Sequence, residues 1–233
     1  MPSELELDLF YSKFYAPVDE FDAPSEEPLP NITGHQSYEG KNRAEYVLTG
    51  LNDSNPITCL DFGAGSGYLS KYIHEARPAM RMFASDVEVK AQRMEKLGFF
   101  EKVFRMGTLP DQEFDLVVAS GVWEHLRDAQ SSLSMLWSMV APGGHLFLDV
   151  PNSNDSYFEI DNRSDLPHTL YFTPKSARVF ASNLKPRPFS IQIDTGGRLW
   201  YENWNFNCFK NMDNFLETGE NGSDLRIMLQ KPK

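Results

Sequence analysis

Short apolar runs alternate along this chain with stretches in which apolar residues recur every three or four positions, the pattern of strands interleaved with helices. Ile57 to Phe62, bounded by Pro56 and Gly63, reads as a strand buried on both faces. After a glycine turn, Tyr68 to Ala76 places Leu69, Tyr72, Ile73 and Ala76 at helical spacing and stops before Pro78. Met80 to Ser85 predicts a second strand, Val87 to Leu97 a helix ended by Gly98, and Lys102 to Met106 a short third strand. Phe114 to Ala119 predicts a fourth. Asp128 can cap a helix with Leu133, Leu136, Trp137 and Val140 on one face, for which Pro142, Gly143 and Gly144 supply the stop. His145 to Val150 predicts a fifth strand.

This alternation predicts an α/β fold with right-handed crossovers and a parallel sheet covered by helices on both faces. Beyond residue 180 the pattern changes. Phe189 to Asp194 and Leu225 to Gln230 read as strands, separated by an aromatic-rich insertion at about 196–222 and no regular crossover helix. An antiparallel edge added to the parallel sheet accounts for them.

The 233 residues suffice for one domain with a sizeable core, and the net charge of −11 weighs against a partner that offers a phosphate backbone or an anionic lipid surface. That charge is unevenly placed. Residues 1–40 hold nine of the 33 acidic residues but one of the 22 basic ones, Lys13, so an acidic N-terminal arm carries −8 and residues 41–233 only −3. The arm contains Pro17, Pro24, Pro28 and Pro30 and six aromatic residues; it is expected to be irregular and packed on the body. Cys59 and Cys208 cannot build a disulfide framework or a zinc site. The acidic start lacks the basic flank and apolar stretch of a secretory signal, and a cytoplasmic location is the expectation.

Candidate chemistry lies at the first strand-to-helix turn, Asp61-Phe62-Gly63-Ala64-Gly65-Ser66-Gly67. Glycines there let a ligand approach the backbone, and the helix behind presents free N–H groups and the positive end of its dipole. The spacing is G-x-G-x-G. A dinucleotide fingerprint needs glycine one residue later, where Tyr68 stands, which disfavours a nicotinamide-dependent oxidoreductase. Asp86, 19 residues after Gly67, sits at the end of the second strand, where a carboxylate can accept hydrogen bonds from ribose hydroxyls or cap the helix that follows. The two features together favour an adenosine-containing ligand without a pyrophosphate.

The segments LDFGAGSGYLSKYI, Asp86, FDLVVASGVWEHL, LWSMVAPGGHLFLDVPN and HTLYFTP, in this order and spacing over roughly residues 40–180, resemble the class I S-adenosylmethionine-dependent methyltransferases. The resemblance is especially to small-molecule enzymes similar to the ubiquinone-biosynthesis O-methyltransferase and its broad relatives. The resemblance implies a Rossmann-like, doubly wound, seven-stranded sheet of order 3-2-1-4-5-7-6 with the last strand antiparallel. It implies S-adenosylmethionine as cofactor, methyl transfer to a small-molecule acceptor with oxygen favoured, and neither nucleic acid nor membrane as partner. It further implies that Asp61 holds the methionyl amino group and that Gly63, Ala64, Gly65 and Gly67 form the loop against the cofactor. Asp86 would bind the ribose and Val87 pack on adenine. The acid that many relatives place after strand three is absent, leaving Met106 and Gly107 to read adenine through their backbone. Ser120 would lie near the methionine end.

Trp123-Glu124-His125 matches the family's Leu-Glu-His, making His125 a candidate general base or a histidine tied to nearby backbone. Gly121 stands where quinone-type relatives carry a glutamate associated with a metal, so no metal is expected. His168 also matches a family histidine. A methyltransferase-like protein that binds the cofactor without turnover is the remaining alternative. An amino-methyltransferase acting on nucleic acid is disfavoured, because Ser120-Gly121-Val122-Trp123 replaces the Asn/Asp-Pro-Pro-aromatic motif such enzymes use.

Overall fold

The structure, a computed structural model, describes residues 32–51, 55–108, 111–153, 170–196 and 224–233. The rest of the N-terminal arm and the aromatic insertion, with Trp200, Trp204 and Cys208, lie outside the described residues, as does His168. Seven strands form one sheet: β1 (Thr58–Phe62), β2 (Arg81–Asp86), β3 (Phe100–Arg105), β4 (Phe114–Ser120), β5 (Val140–Pro151), β6 (Ser190–Gly196) and β7 (Asp224–Gln230). Their order is β3-β2-β1-β4-β5-β7-β6. β1 to β5 pair in parallel, and β7 runs antiparallel to both β5 and β6. The helices are α1 (Ile32–Gly50), α2 (Tyr68–Ala76), α3 (Glu88–Lys96), α4 (Ala129–Ser138) and α5 (Pro174–Ser182).

Strand alternation divides the apolar residues into two cores. Leu60, Phe62, Val117, Leu146, Leu148 and Ile227 join α4 and α5 on one face of the sheet, around the fully buried Trp123 and Trp137. Cys59, Leu116, Val118, Phe147 and Met228 join α1 and α2 on the other, against Val47, Leu69 and Ile73. α4 begins where expected, with the Asp128 side chain accepting from the Ser131 N–H.

Two local expectations fail for identifiable reasons. Residues 32–40, assigned to the irregular arm, are helical, and α1 runs continuously through residue 40 to Gly50. Pro142, Gly143 and Gly144 do not stop α4. The helix ends at Ser138 and these residues open β5, where the β4–β5 register shifts between Phe114 and Leu116. A side chain at Gly144 would stand 2.7 Å from the Asp115 carbonyl oxygen, so the glycine serves close strand packing at this irregularity.

α1 reaches the sheet because Gly40 lets it cross α2 closely. A Cβ on Gly40 would lie 2.6 Å from Tyr68 Cβ and 2.9 Å from the Tyr68 carbonyl carbon. At an ordinary helix-interior glycine, alanine gains up to about 1 kcal/mol of helix propensity. Here overpacking opposes and exceeds that gain, so Gly40→Ala should destabilise the protein by about 1–3 kcal/mol. Urea unfolding checks this: the midpoint should fall at unchanged slope, and a raised midpoint would contradict the close crossing.

Candidate functional site

β1 delivers Asp61 to the carboxyl edge of the sheet, beside Ala84 of β2 and Val118 of β4. The side chain is 2% exposed, and its Oδ2 accepts from the Ser70 hydroxyl at 2.7 Å. Burial disfavours its charge, the Ser70 hydroxyl partly offsets this, and the Asp86 carboxylate adds repulsion; together they push its pKa up to about 7. The loop from Gly63 to Gly67 turns back over β2, with the Gly63 N–H donating to the Ser85 carbonyl at 2.7 Å.

Gly67, at φ +77, is the close-packing glycine of the loop. A Cβ there would stand 2.9 Å from Leu97 Cδ1 and 3.1 Å from Met94 Sδ, so the start of α2 sits directly against α3 and the following turn. The third glycine of a dinucleotide fingerprint does this job one position later. Gly65 differs: a Cβ on it would meet only the Gly63 carbonyl oxygen, at 3.9 Å, and the loop is otherwise open there.

Asp86, also buried, ties loop and strand together. Its Oδ2 accepts from the Gly65 N–H at 2.6 Å and its Oδ1 from the Val87 N–H at 2.7 Å. Burial raises its pKa, against the pull of Lys90 and of these two N–H donors. Asp86 does not cap the helix that follows: the N-cap of α3 is Val87, with no side-chain cap bond, and the Asp86 carboxylate instead holds the Val87 N–H and the loop's Gly65 N–H. Each oxygen keeps lone-pair capacity for a further donor.

A cleft of about 370 Å³ opens over this loop. Asp61, Gly63, Ala64, Gly65 and Ser66 form its floor, and Glu39, Gly40 and Arg43 of α1 form a wall. Tyr68, Leu69, Lys90 and Ser120 complete it. The structure therefore gathers Asp61, Gly63, Ala64, Gly65 and Ser120 around one space. Gly67 supports it from behind. Asp86 and Val87 flank the loop, and Met106, on which the Asp86 carbonyl accepts an N–H bond at 2.9 Å, leads with Gly107 into an exposed turn beside them. His125 is not among the residues lining the cleft. It ends the 3₁₀ turn Trp123–His125 beyond β4, with Nε2 3.9 Å from Glu124 Oε1. Trp123 anchors that turn, stacked on Phe172 at 3.9 Å and donating from Nε1 to the Ala129 carbonyl.

The wall contributed by α1 was not anticipated. Arg43 Nε donates to the Asp149 carboxylate, and Arg43 Nη1 lies 3.3 Å from Glu39. Burial alone would lower the pKa of Arg43, but Asp149 and Glu39 outweigh it and hold the guanidinium firmly charged. Among the described residues no group of three or more His, Cys, Asp and Glu is placed to hold a metal ion, and no helix is long and apolar enough to cross a membrane.

The arrangement suits a small, partly charged ligand. A buried acid served by one hydroxyl and an arginine line the same cleft as an open glycine loop at a helix N-terminus. The chain is 27% identical over 179 residues to the ubiquinone biosynthesis O-methyltransferase of Xanthomonas euvesicatoria pv. vesicatoria (strain 85-10), covering 70% of this chain and 73% of that protein. Its fold matches the crystal structure of a SAM dependent methyltransferase from Archaeoglobus fulgidus with a TM-score of 0.61 at 17% identity, over 84% of this chain and 94% of that one. It also matches the plantazolicin methyltransferase BpumL, crystallised with a monoazolic desmethylPZN analog and SAH, with a TM-score of 0.56 at 16% identity, over 86% and 84% of the two chains. The family model described as a methyltransferase domain matches residues 36–189, more than half of the sequence, and the chain belongs to that methyltransferase family.

Proposed function

We propose that this protein transfers the methyl group of S-adenosylmethionine to a small-molecule acceptor, an oxygen nucleophile being the favoured acceptor atom and nucleic acid no substrate. The observation that carries this reading is the presence of Asp61 and Arg43 on the lining of one cleft with the glycine loop. The guanidinium matches the carboxylate of the methionyl end, and Asp61, once ionised, matches its ammonium. Gly63, Ala64 and Gly65 offer backbone to the same end, and Ser120 borders it. Asp86 accepts the ribose hydroxyls on the lone pairs left by Gly65 and Val87. Val87 packs on adenine, and the backbone of Met106 and Gly107 reads its edge in place of an acidic side chain.

When bound, the sulfonium supplies an electrophilic methyl carbon for in-line displacement. The chain's own contribution is alignment and the exclusion of water, so a strong base is optional. His125 is the candidate to accept the acceptor's proton, held in a turn that the Trp123 stack fixes.

An acceptor screen with methyl-labelled cofactor against phenols, quinol-like compounds and sugars should place label on at least one class. His125→Ala should then lower kcat by about 10²-fold while leaving S-adenosylmethionine affinity intact. Calorimetry that detects NADH but no S-adenosylmethionine would contradict the whole reading.

Asp61 also gives binding a pH signature. Its free-protein pKa of about 7 lies above the ordinary 3.8, so the fold favours the protonated form. Its contribution to stability is therefore complete below the ordinary value and is lost as pH rises through about 7. Ligand binding needs the opposite state, the carboxylate. Affinity for S-adenosylmethionine should fall by up to about tenfold per unit as the pH drops below 7. Asp61→Asn should weaken binding and flatten that limb; an unchanged slope in the variant would remove Asp61 from the ammonium site.

A further inference from the structure

The Asp149 carboxylate, on the same sheet face as Asp61, is 2% exposed and gathers two hydrogen-bond donors and an ion-pair partner from three separate elements. Arg43 Nε of α1 donates to its Oδ2, the Ser120 hydroxyl of β4 lies 3.3 Å from that oxygen, and Arg226 Nε of β7 stands 3.5 Å from Oδ1. Arg226 is registered directly opposite Asp149, as Ser120 is on the other side, so the three lie in one row across the sheet. The Arg226 guanidinium also lies over the Tyr46 ring at 5.3 Å, and the Tyr46 hydroxyl donates to Asp194 of β6. Asp149 is the centre of this row, and both Arg43 and Ser120 carry its influence into the cleft wall.

A guanidinium has five donors in a rigid plane, so fixing one nitrogen fixes where the others point. With Nε committed to Asp149 and Nη1 to Glu39, the plane of Arg43 is set by carboxylates that do not themselves depend on a ligand. A long side chain otherwise loses rotamer freedom each time it grips a ligand, and preorganisation removes that cost.

We infer that Asp149 is a positioning residue for the amino-acid end of the cofactor, acting through Arg43 and Ser120 without touching the ligand. This rests on the reading of the cleft given above. It makes a claim about only one end of the ligand, which separates it from a general role in folding. Asp149 lies at the β4–β5–β7 side of the site, whereas Asp86 and the adenosine-facing turn lie across β1 at β2 and β3.

The test compares three ligands by calorimetry: S-adenosylmethionine, S-adenosylhomocysteine, and 5′-methylthioadenosine, which lacks the amino-acid end. Asp149→Asn keeps the shape and removes the charge. It should weaken the first two by about tenfold or more, the loss of a charge-assisted contact, and leave 5′-methylthioadenosine within about twofold. Arg43→Gln, on a partly exposed helix position, should show the same selective loss and carries the test if Asp149→Asn does not fold. The double variant should lose little beyond either single one. Equal weakening of all three ligands, no weakening in either variant, or additive losses in the double variant would overturn the inference. Failure of the wild-type protein to bind any of the three would instead overturn the cofactor reading.

Discussion

A strand side chain can point to only one face of its sheet, and the register of β1, β2, β4, β5 and β7 puts Asp61, Asp86, Ser120, Asp149 and Arg226 on the same one. Cys59, Val118, Phe147 and Met228, two residues from members of that row, form the apolar core beneath it with α1 and α2. Each of these strands is thus apolar along the buried body of the α1–α2 face and polar at one end. The polar ends gather at the carboxyl edge of the parallel strands, where an open α/β sheet binds its ligands. A slip of one residue in β1 would send Asp61 into the core around Leu60, Phe62 and Trp123.

Burying that many charges in one place is tolerable only where each has partners. The site divides unequally on this count. Asp149 has two guanidinium groups and a hydroxyl, and Asp86 has two backbone N–H donors. Asp61 has a single hydroxyl, which only partly offsets its burial and the repulsion of Asp86, and its pKa is pushed up to about 7. The least compensated carboxylate is also the one on the floor of the cleft. A cationic ligand group would supply what the fold withholds from it, and this asymmetry supports the proposed placement of the cofactor's amino-acid end there.

Much of this was legible in the sequence because it depends on local rules. The apolar runs at 57–62, 114–119 and 145–150 read directly as buried strands, and Tyr68–Ala76 emerges as a helix with the limits its spacing implies. Asp61 and the glycine loop stood out because their spacing serves a turn. The wall built by α1 did not. Its fully buried apolar stripe is short, Ala44 and Val47 with Leu51 just beyond its end, because the preceding turns present Gly40 to Tyr68 and Glu39 and Arg43 to the cleft. Asp149 was hidden for a different reason: in HLFLDV it reads as one polar residue in a buried strand, and its partners include one 106 residues before it and one on β7, the last strand in the sequence. The Pro142-Gly143-Gly144 sequence shows the same limit, since a helix stop and a strand irregularity use the same residues and only the register with β4 separates them. The strand order followed from family resemblance; periodicity alone gave only a parallel sheet with an antiparallel edge.

The central claim is that S-adenosylmethionine lies along the glycine loop, with its amino-acid end toward Asp61 and Arg43. Glycine-selective ¹⁵N labelling tests it directly, since reporters lie both at and away from the site. On titration with S-adenosylhomocysteine, the Gly63 and Gly65 amides should shift strongly, while Gly143, at the opposite edge of the sheet beside Lys233, and Gly98 should stay fixed. Saturable shifts that spare Gly63 and Gly65, or no shifts at all, would contradict the account.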